Sequence, residues 1–157
     1  MITFLIYGIL TALFALVAEI MSGSFLPDAG LSAIRAAELP PLLILVLTIV
    51  ILATIEETLK YIVLQKTLRQ HSGTRSVPAS FLFGIGFATT ELLLLFLVQK
   101  TTFPNDLFPI FGIFTIHVAT SALYGTYGAR LTDWKRFIPI FVGITFHAAY
   151  NLLLALI

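Results

Sequence analysis

The chain has 157 residues, 59% hydrophobic and 11% charged, with a formal net charge of +1. That charge content is less than half of the usual ~25%, and apolar runs of about 18 or more residues recur, the mark of an integral membrane protein. There is no cysteine, which excludes disulfides, thiolate nucleophiles and cysteine metal sites. The near-neutral charge and lack of a basic tail give no footing for nucleic acid.

Taken in order, the hydropathy pattern predicts one membrane domain over 1–157, an all-α polytopic helical bundle with about five transmembrane helices. The first span covers about 3–20. It is apolar from Ile2 but lacks a Lys/Arg-rich start and an A-x-A site, so it reads as a retained span rather than a signal peptide. A polar loop with Gly and Pro follows to Leu39. Pro40 and Pro41 suit a helix start, where a missing N–H is harmless. The second span, about 40–68, is longer than a bilayer is thick and should tilt or project. The third covers about 77–98, the fourth about 107–129 and the fifth about 137–157. Trp134 fits an interfacial anchor. No internal repeat is evident.

The second span holds Glu56, Glu57 and Lys60 in otherwise apolar surroundings, and the third holds Glu91. A charge at mid-bilayer costs roughly 2.5–3.5 kcal/mol on insertion scales, so the four would cost on the order of 10–14 kcal/mol unpaired. Such residues face a protein interior. Glu56 and Lys60 are four apart and share a helix face, whereas Glu57 is turned by about 100°. One carboxylate can be held by the lysine while the other stays free for chemistry. A purely structural ion pair is the plain alternative.

Depth relates the other polar residues to these. At about 1.5 Å per residue, Glu57 lies roughly 14 Å from one end of its span, and Glu91 roughly 16–20 Å from the same side of the membrane. His117 and His147 each lie roughly 15 Å from an end of the fourth and fifth spans. Four helices therefore place ionisable groups near the bilayer centre. Gly84, Ala88 and Glu91 follow one stripe, whose small residues let a neighbouring helix approach. His117, Ser121, Tyr124 and Gly128 share one face, as do His147 and Asn151.

Such a set suits water activation. A desolvated carboxylate can take a proton from water near neutral pH, while imidazoles and an amide position the water or stabilise an oxyanion. The same groups could hold a divalent metal such as zinc through His117, His147 and Glu91, since His nitrogen and Glu oxygen are ordinary zinc ligands. Other hydrolytic designs are missing. Asp28, Asp106 and Asp133 fall in loops, no H-E-x-x-H occurs, and Ser22-Gly23 sits at a membrane edge without a partner.

Glu56-Glu57-x-x-Lys60, Gly84-x-Gly86-Phe87-Ala88-x-x-Glu91, His117-x-x-x-Ser121-x-x-x-Gly125 and His147-x-x-x-Asn151 resemble the four motifs of PrsW-type intramembrane proteases. These belong to the wider superfamily of CAAX prenyl proteases and bacteriocin-processing (CPBP) membrane proteins. The resemblance covers about 55–151, in order, on four helices. It implies a CAAX-protease-like core with a cavity open to one side. Glu56 or Glu57 would be the general base, His117, His147 and Asn151 would bind water or the oxyanion, and Lys60, Glu91 and Ser121 would support them. Leu92 stands where this family commonly shows Asn. The resemblance also implies the plasma membrane of a prokaryote.

The leading expectation is thus an intramembrane endopeptidase acting on a membrane-anchored protein or peptide within the lipid bilayer. A catalytically silent scaffold or immunity-type protein that binds a partner helix is the alternative. A proton or ion carrier would not need a Glu-Glu pair beside a His-x-x-x-Asn.

Lys and Arg in the loops set the expected orientation. Lys66, Arg69, Arg75, Arg130, Lys135 and Arg136 flank the second and fourth loops, against Arg35 and Lys100 in the first and third. The N-terminus and the loops near Arg69 and Lys135 should be cytoplasmic. Single cysteines introduced as Arg69→Cys and Lys135→Cys should resist an impermeant maleimide added to intact cells. Labelling of either site from outside would reverse the topology.

Overall fold

A computed structural model of the chain describes residues 1–25, 41–71, 76–99, 107–128 and 133–156. Five helices carry these residues: α1 (Ile2–Phe25), α2 (Pro41–Gln70), α3 (Ser76–Gln99), α4 (Phe108–Tyr127) and α5 (Ile138–Leu156). A 3₁₀ turn, Asp133–Phe137, leads into α5. Among the described residues there is no strand. All five helices are long and apolar enough to cross a membrane, so the chain is an all-α membrane bundle, as the hydropathy pattern predicts.

Boundaries differ mainly where helices outlast their apolar windows. α1 continues to Phe25, beyond the expected end at 20. α2 runs through Lys66 to Gln70, so two residues counted with the second loop belong to the helix. At 30 residues it is roughly 45 Å long, against a hydrocarbon core of about 30 Å. Helical backbone satisfies its own polar groups and can therefore continue past the apolar layer. Residues 26–40, 72–75, 100–106, 129–132 and 157, where the expected loops and the last residue of the fifth expected span fall, lie outside the described residues.

Polarity is inverted relative to a water-soluble bundle. Phe14, Leu97, Phe111, Phe141 and Phe146 point outward, while Glu57, Lys60, His117, Ser121 and His147 are buried. Lipid-facing hydroxyls are satisfied within their own helices: Thr48, Thr54 and Thr145 each donate to the carbonyl four residues back, at 2.9, 2.6 and 2.8 Å. That habit removes an exposed donor without requiring water.

α3 packs most extensively, against α4 on one side and α1 on another. Gly8 of α1 faces the backbone of Phe83, and Gly86 of α3 faces the backbone of Leu5. This pair brings α1 and α3 into backbone contact. On a different face of α3, Gly84 lies against α4, where an added Cβ would stand 2.8 Å from Val118 Cα and 2.9 Å from the His117 carbonyl oxygen. Close approach through small residues is the usual route to tight helix pairs in lipid. Here it sets His117 beside α3.

Gly84→Val should therefore push α4 away and destabilise the bundle by about 1–3 kcal/mol, the usual cost of overpacking. Thermal unfolding in detergent should register a clear fall in Tm. An unchanged melting curve would show that α3 and α4 are not held this closely.

Candidate active site

Glu57 sits at the centre of the bundle, fully buried. Three donors reach its carboxylate. Lys60 Nζ lies 2.5 Å from Oε1, His147 Nδ1 lies 2.7 Å from Oε1, and the Tyr124 hydroxyl donates to Oε2 at 2.6 Å. They come from α2, α5 and α4, so one carboxylate joins three helices. Gly143 of α5 makes room for this, since a Cβ there would stand 2.8 Å from Tyr124 Cζ and 3.2 Å from Glu57 Oε2.

Lys60 is equally committed. An ammonium has three N–H donors and no acceptor. Besides Glu57, Lys60 contacts His117 Nδ1 at 2.8 Å and the Thr120 hydroxyl at 3.3 Å. The lysine thus holds Glu57, three residues away, rather than Glu56, with which it shares a face by simple helical spacing. Glu57 points toward the donors of α4 and α5, and the ammonium follows it.

Glu56 points elsewhere. It is 9% exposed, and its carboxyl group meets Glu19 of α1 rather than Lys60 or Tyr124. His147 Nε2 lies 3.9 Å from Glu56 Oε2. The two histidine rings are 5.0 Å apart and nearly perpendicular. His117 Nε2 meets Glu91 Oε2. Phe87 packs against the His117 ring at 4.8 Å and under Lys60 at 4.7 Å.

The contacts assign the two imidazoles opposite tautomers. Lys60 can only donate, so His117 Nδ1 must accept, and the ring hydrogen of the neutral form sits on Nε2. Glu57 can only accept, so His147 Nδ1 carries the hydrogen and Nε2 offers its lone pair. One ring therefore presents an N–H toward Glu91, and the other presents a base toward Glu56.

This bears on metal binding. Glu56, His117 and His147 each place a ligand atom within 4.8 Å of the others, a spacing that a cation could bridge. A catalytic zinc site needs three protein lone pairs. His117 does not supply one while Lys60 occupies Nδ1, so the trio fits a metal poorly. The grouping also uses Glu56 where the sequence reading has Glu91.

A cavity of about 260 Å³ opens beside the cluster, between α1, α2 and α3. Glu19, Glu56 and Glu91 line it together with apolar side chains such as Leu16, Phe87 and Leu94. Glu19 of α1 is within hydrogen-bonding contact of Glu56. Sequence reasoning passed over Glu19 because it falls at the end of the first apolar span, where an acidic residue reads as an interfacial one. Its spacing from Ala12 and Ala15, at i+7 and i+4, is the signal that could have placed it on the inner face.

Ser121 is buried against Gly84, its Oγ without a partner, and serves the close contact of α3 and α4. Asn151 is half-buried one turn after His147, and among the described residues no hydrogen bond ties it to the cluster. Comparison with protein-family models, with curated proteins and with solved structures yields no match.

The two adjacent glutamates should differ sharply in their effect on stability. Removing one partner from a buried ion pair typically costs about 3–5 kcal/mol, so Glu57→Gln should strongly lower Tm in detergent. Glu56→Gln should lower Tm far less, because Lys60 pairs with Glu57 and an amide can keep the contact with Glu19. Equal melting temperatures for the two variants would refute the division of roles.

Proposed function

We propose that this protein is an intramembrane endopeptidase that hydrolyses a peptide bond of a membrane-anchored protein or peptide. Glu56 is the general base. The observation that carries this reading is the contrast between the two glutamates. Glu57 has both oxygens engaged by Lys60, His147 and Tyr124, while Glu56 faces the cavity beside Glu19, its buried Oε2 3.9 Å from His147 Nε2.

The chemistry follows from the atoms available. A water placed between Glu56 Oε2 and His147 Nε2 can hydrogen-bond to both, at ordinary distances of about 2.7–2.9 Å. Glu56 takes one proton as the water oxygen attacks the peptide carbonyl carbon. The C=O π electrons move to oxygen, and the His117 Nε2–H exchanges Glu91 for the oxyanion so formed. Collapse re-forms the carbonyl and breaks the C–N bond, and Glu56 returns its proton to the leaving amine. Asn151, four residues from His147, is the amide best placed along the helix to assist. Lys60 and Glu57 hold both rings in the required tautomers, which makes them positioning residues. No metal enters these steps.

The resemblance of the four motifs to PrsW-type and CAAX-type membrane proteases points the same way, as does the cavity beside the cluster. The expected orientation, with the N-terminus in the cytoplasm of a prokaryotic cell, belongs to the same proposal. A silent scaffold is the second reading. It is favoured by the completeness of the Glu57 network, which would hold a bundle together without any reaction.

Cleavage of a membrane-anchored reporter by purified protein separates the two. Glu56→Gln keeps the shape but cannot accept the proton, and general base catalysis typically contributes about 10²–10⁴-fold. We expect a rate loss of at least that size with normal folding, and full wild-type activity in the presence of a chelator. A wild type that cleaves nothing, yet binds the reporter as tightly as Glu56→Gln does, would leave the scaffold. Loss of activity on chelation would restore the metal.

A further inference from the structure

Apart from the buried Lys60, the lysines and arginines among the described residues all stand at one end of the bundle. Lys66 and Arg69 lie on the last two turns of α2, and Lys135 and Arg136 on the 3₁₀ turn before α5. All four side chains are exposed. The ion pairs among the described residues belong to the central cluster, and none involves these four. Segments 61–71 and 133–138 hold four Lys or Arg residues against one acidic residue, Asp133.

The charges form a step rather than a scattered rim. α5 packs along α2, and the Tyr61 hydroxyl donates to the Arg136 carbonyl oxygen at 2.9 Å. Arg69 lies eight residues further along α2, roughly 12 Å beyond Tyr61. The end of α2 therefore stands above the 3₁₀ turn, with Arg69 on the riser and Arg136 at its foot. Both guanidinium groups are near enough to the Tyr61 hydroxyl to act on it electrostatically. A second observation gives the depth of the step. Trp134 and Phe137, both exposed, flank Lys135 and Arg136 on the turn, and such aromatics settle at headgroup level. The Arg136 guanidinium lies 5.0 Å from the Phe137 ring, a cation–π contact that keeps it at that level.

These surroundings define the occupant. It carries negative charge, to match guanidinium groups that no carboxylate engages, and it sits at the aromatic level with hydrocarbon beneath. A planar guanidinium grips two phosphate oxygens at once. The expected orientation puts this end at the cytoplasmic leaflet, whose anionic lipids attract basic segments next to the membrane. We infer that the step between α2 and the 3₁₀ turn is a binding site for the phosphate of an anionic phospholipid, gripped by Arg69 and Arg136 with Lys135 at the rim. Lipid binding here is independent of any peptide-bond chemistry.

The test uses the full chain in mild detergent, titrated with phosphatidylglycerol, with phosphatidylcholine as the zwitterionic control. Bound lipid is counted by native mass spectrometry. One phosphatidylglycerol should bind at least about tenfold more tightly than phosphatidylcholine. Arg69→Gln and Arg136→Gln should each weaken phosphatidylglycerol about fivefold, as expected for one cation beside an anionic group, and leave phosphatidylcholine unchanged. Both side chains are exposed and the Tyr61 bond uses the Arg136 backbone, so the fold survives either change. Lys66→Gln removes the same charge from the same end, on a face turned about 60° further from Tyr61, and should cost under about twofold. An equal loss in Lys66→Gln would mean diffuse attraction to a basic end. Equal affinity for the two lipids would mean an annulus indifferent to charge, and displacement of phosphatidylglycerol by inorganic phosphate would mean a soluble anion site. Each of these three outcomes overturns the lipid site.

Discussion

The Glu57 carboxylate is the constraint on which the rest of this bundle depends. It accepts from Lys60, His147 and Tyr124, and those donors stand on three helices. In a bilayer the apolar surfaces of helices gain little from meeting one another, since lipid tails are as apolar as leucine. A buried carboxylate with an unmet partner, by contrast, is expensive. The arrangement of α2, α4 and α5 is therefore the one that brings all three donors to a single group. The orientation of both histidines follows from that, because Glu57 and Lys60 each engage one ring at Nδ1 and leave Nε2 facing inward.

Small residues make the network geometrically possible. Gly84 admits the backbone of α4 at His117, and Gly143 admits the Tyr124 hydroxyl between α5 and Glu57. A methyl group at either position would displace an atom of the cluster rather than a flexible surface chain. The hydroxyls that would otherwise compete for partners are mostly turned back onto their own helices, as Thr11, Thr67, Ser80 and Thr90 show. The polar interior is thereby divided into groups that hold the fold and groups, Glu56 beside Glu19 and His117 Nε2 against Glu91, that the proposed chemistry uses.

Much of this was legible in the residues. Five spans follow from apolar runs, and the coincidence in depth of Glu57, Glu91, His117 and His147 anticipated a shared centre. The structure brings those four together within a few contacts. The stripe of Gly84, Ala88 and Glu91 anticipated a close helix pair, and Gly84 lies against α4 while Ala88 is buried. Glu19 was legible only as a residue sharing a face with Ala12 and Ala15. A carboxylate at the end of a span could face lipid headgroups as easily as the interior, and its company with Glu56 depends on how α1 leans on α3.

The sequence by itself determined what is local: which segments are apolar enough to span, which residues share a helical face, and how deep each polar group lies. Those properties follow from hydropathy and from a repeat of about 3.6 residues. Only the tertiary structure decided which glutamate the lysine holds. Helical spacing alone favoured Glu56, whereas the donors that α4 and α5 present lie on the side of Glu57. The histidine tautomers were decided there too, since a ring takes its hydrogen position from whichever neighbour reaches its other nitrogen. Partner choice in a low-dielectric interior depends on the rotation of each helix about its axis, and no one helix carries that information.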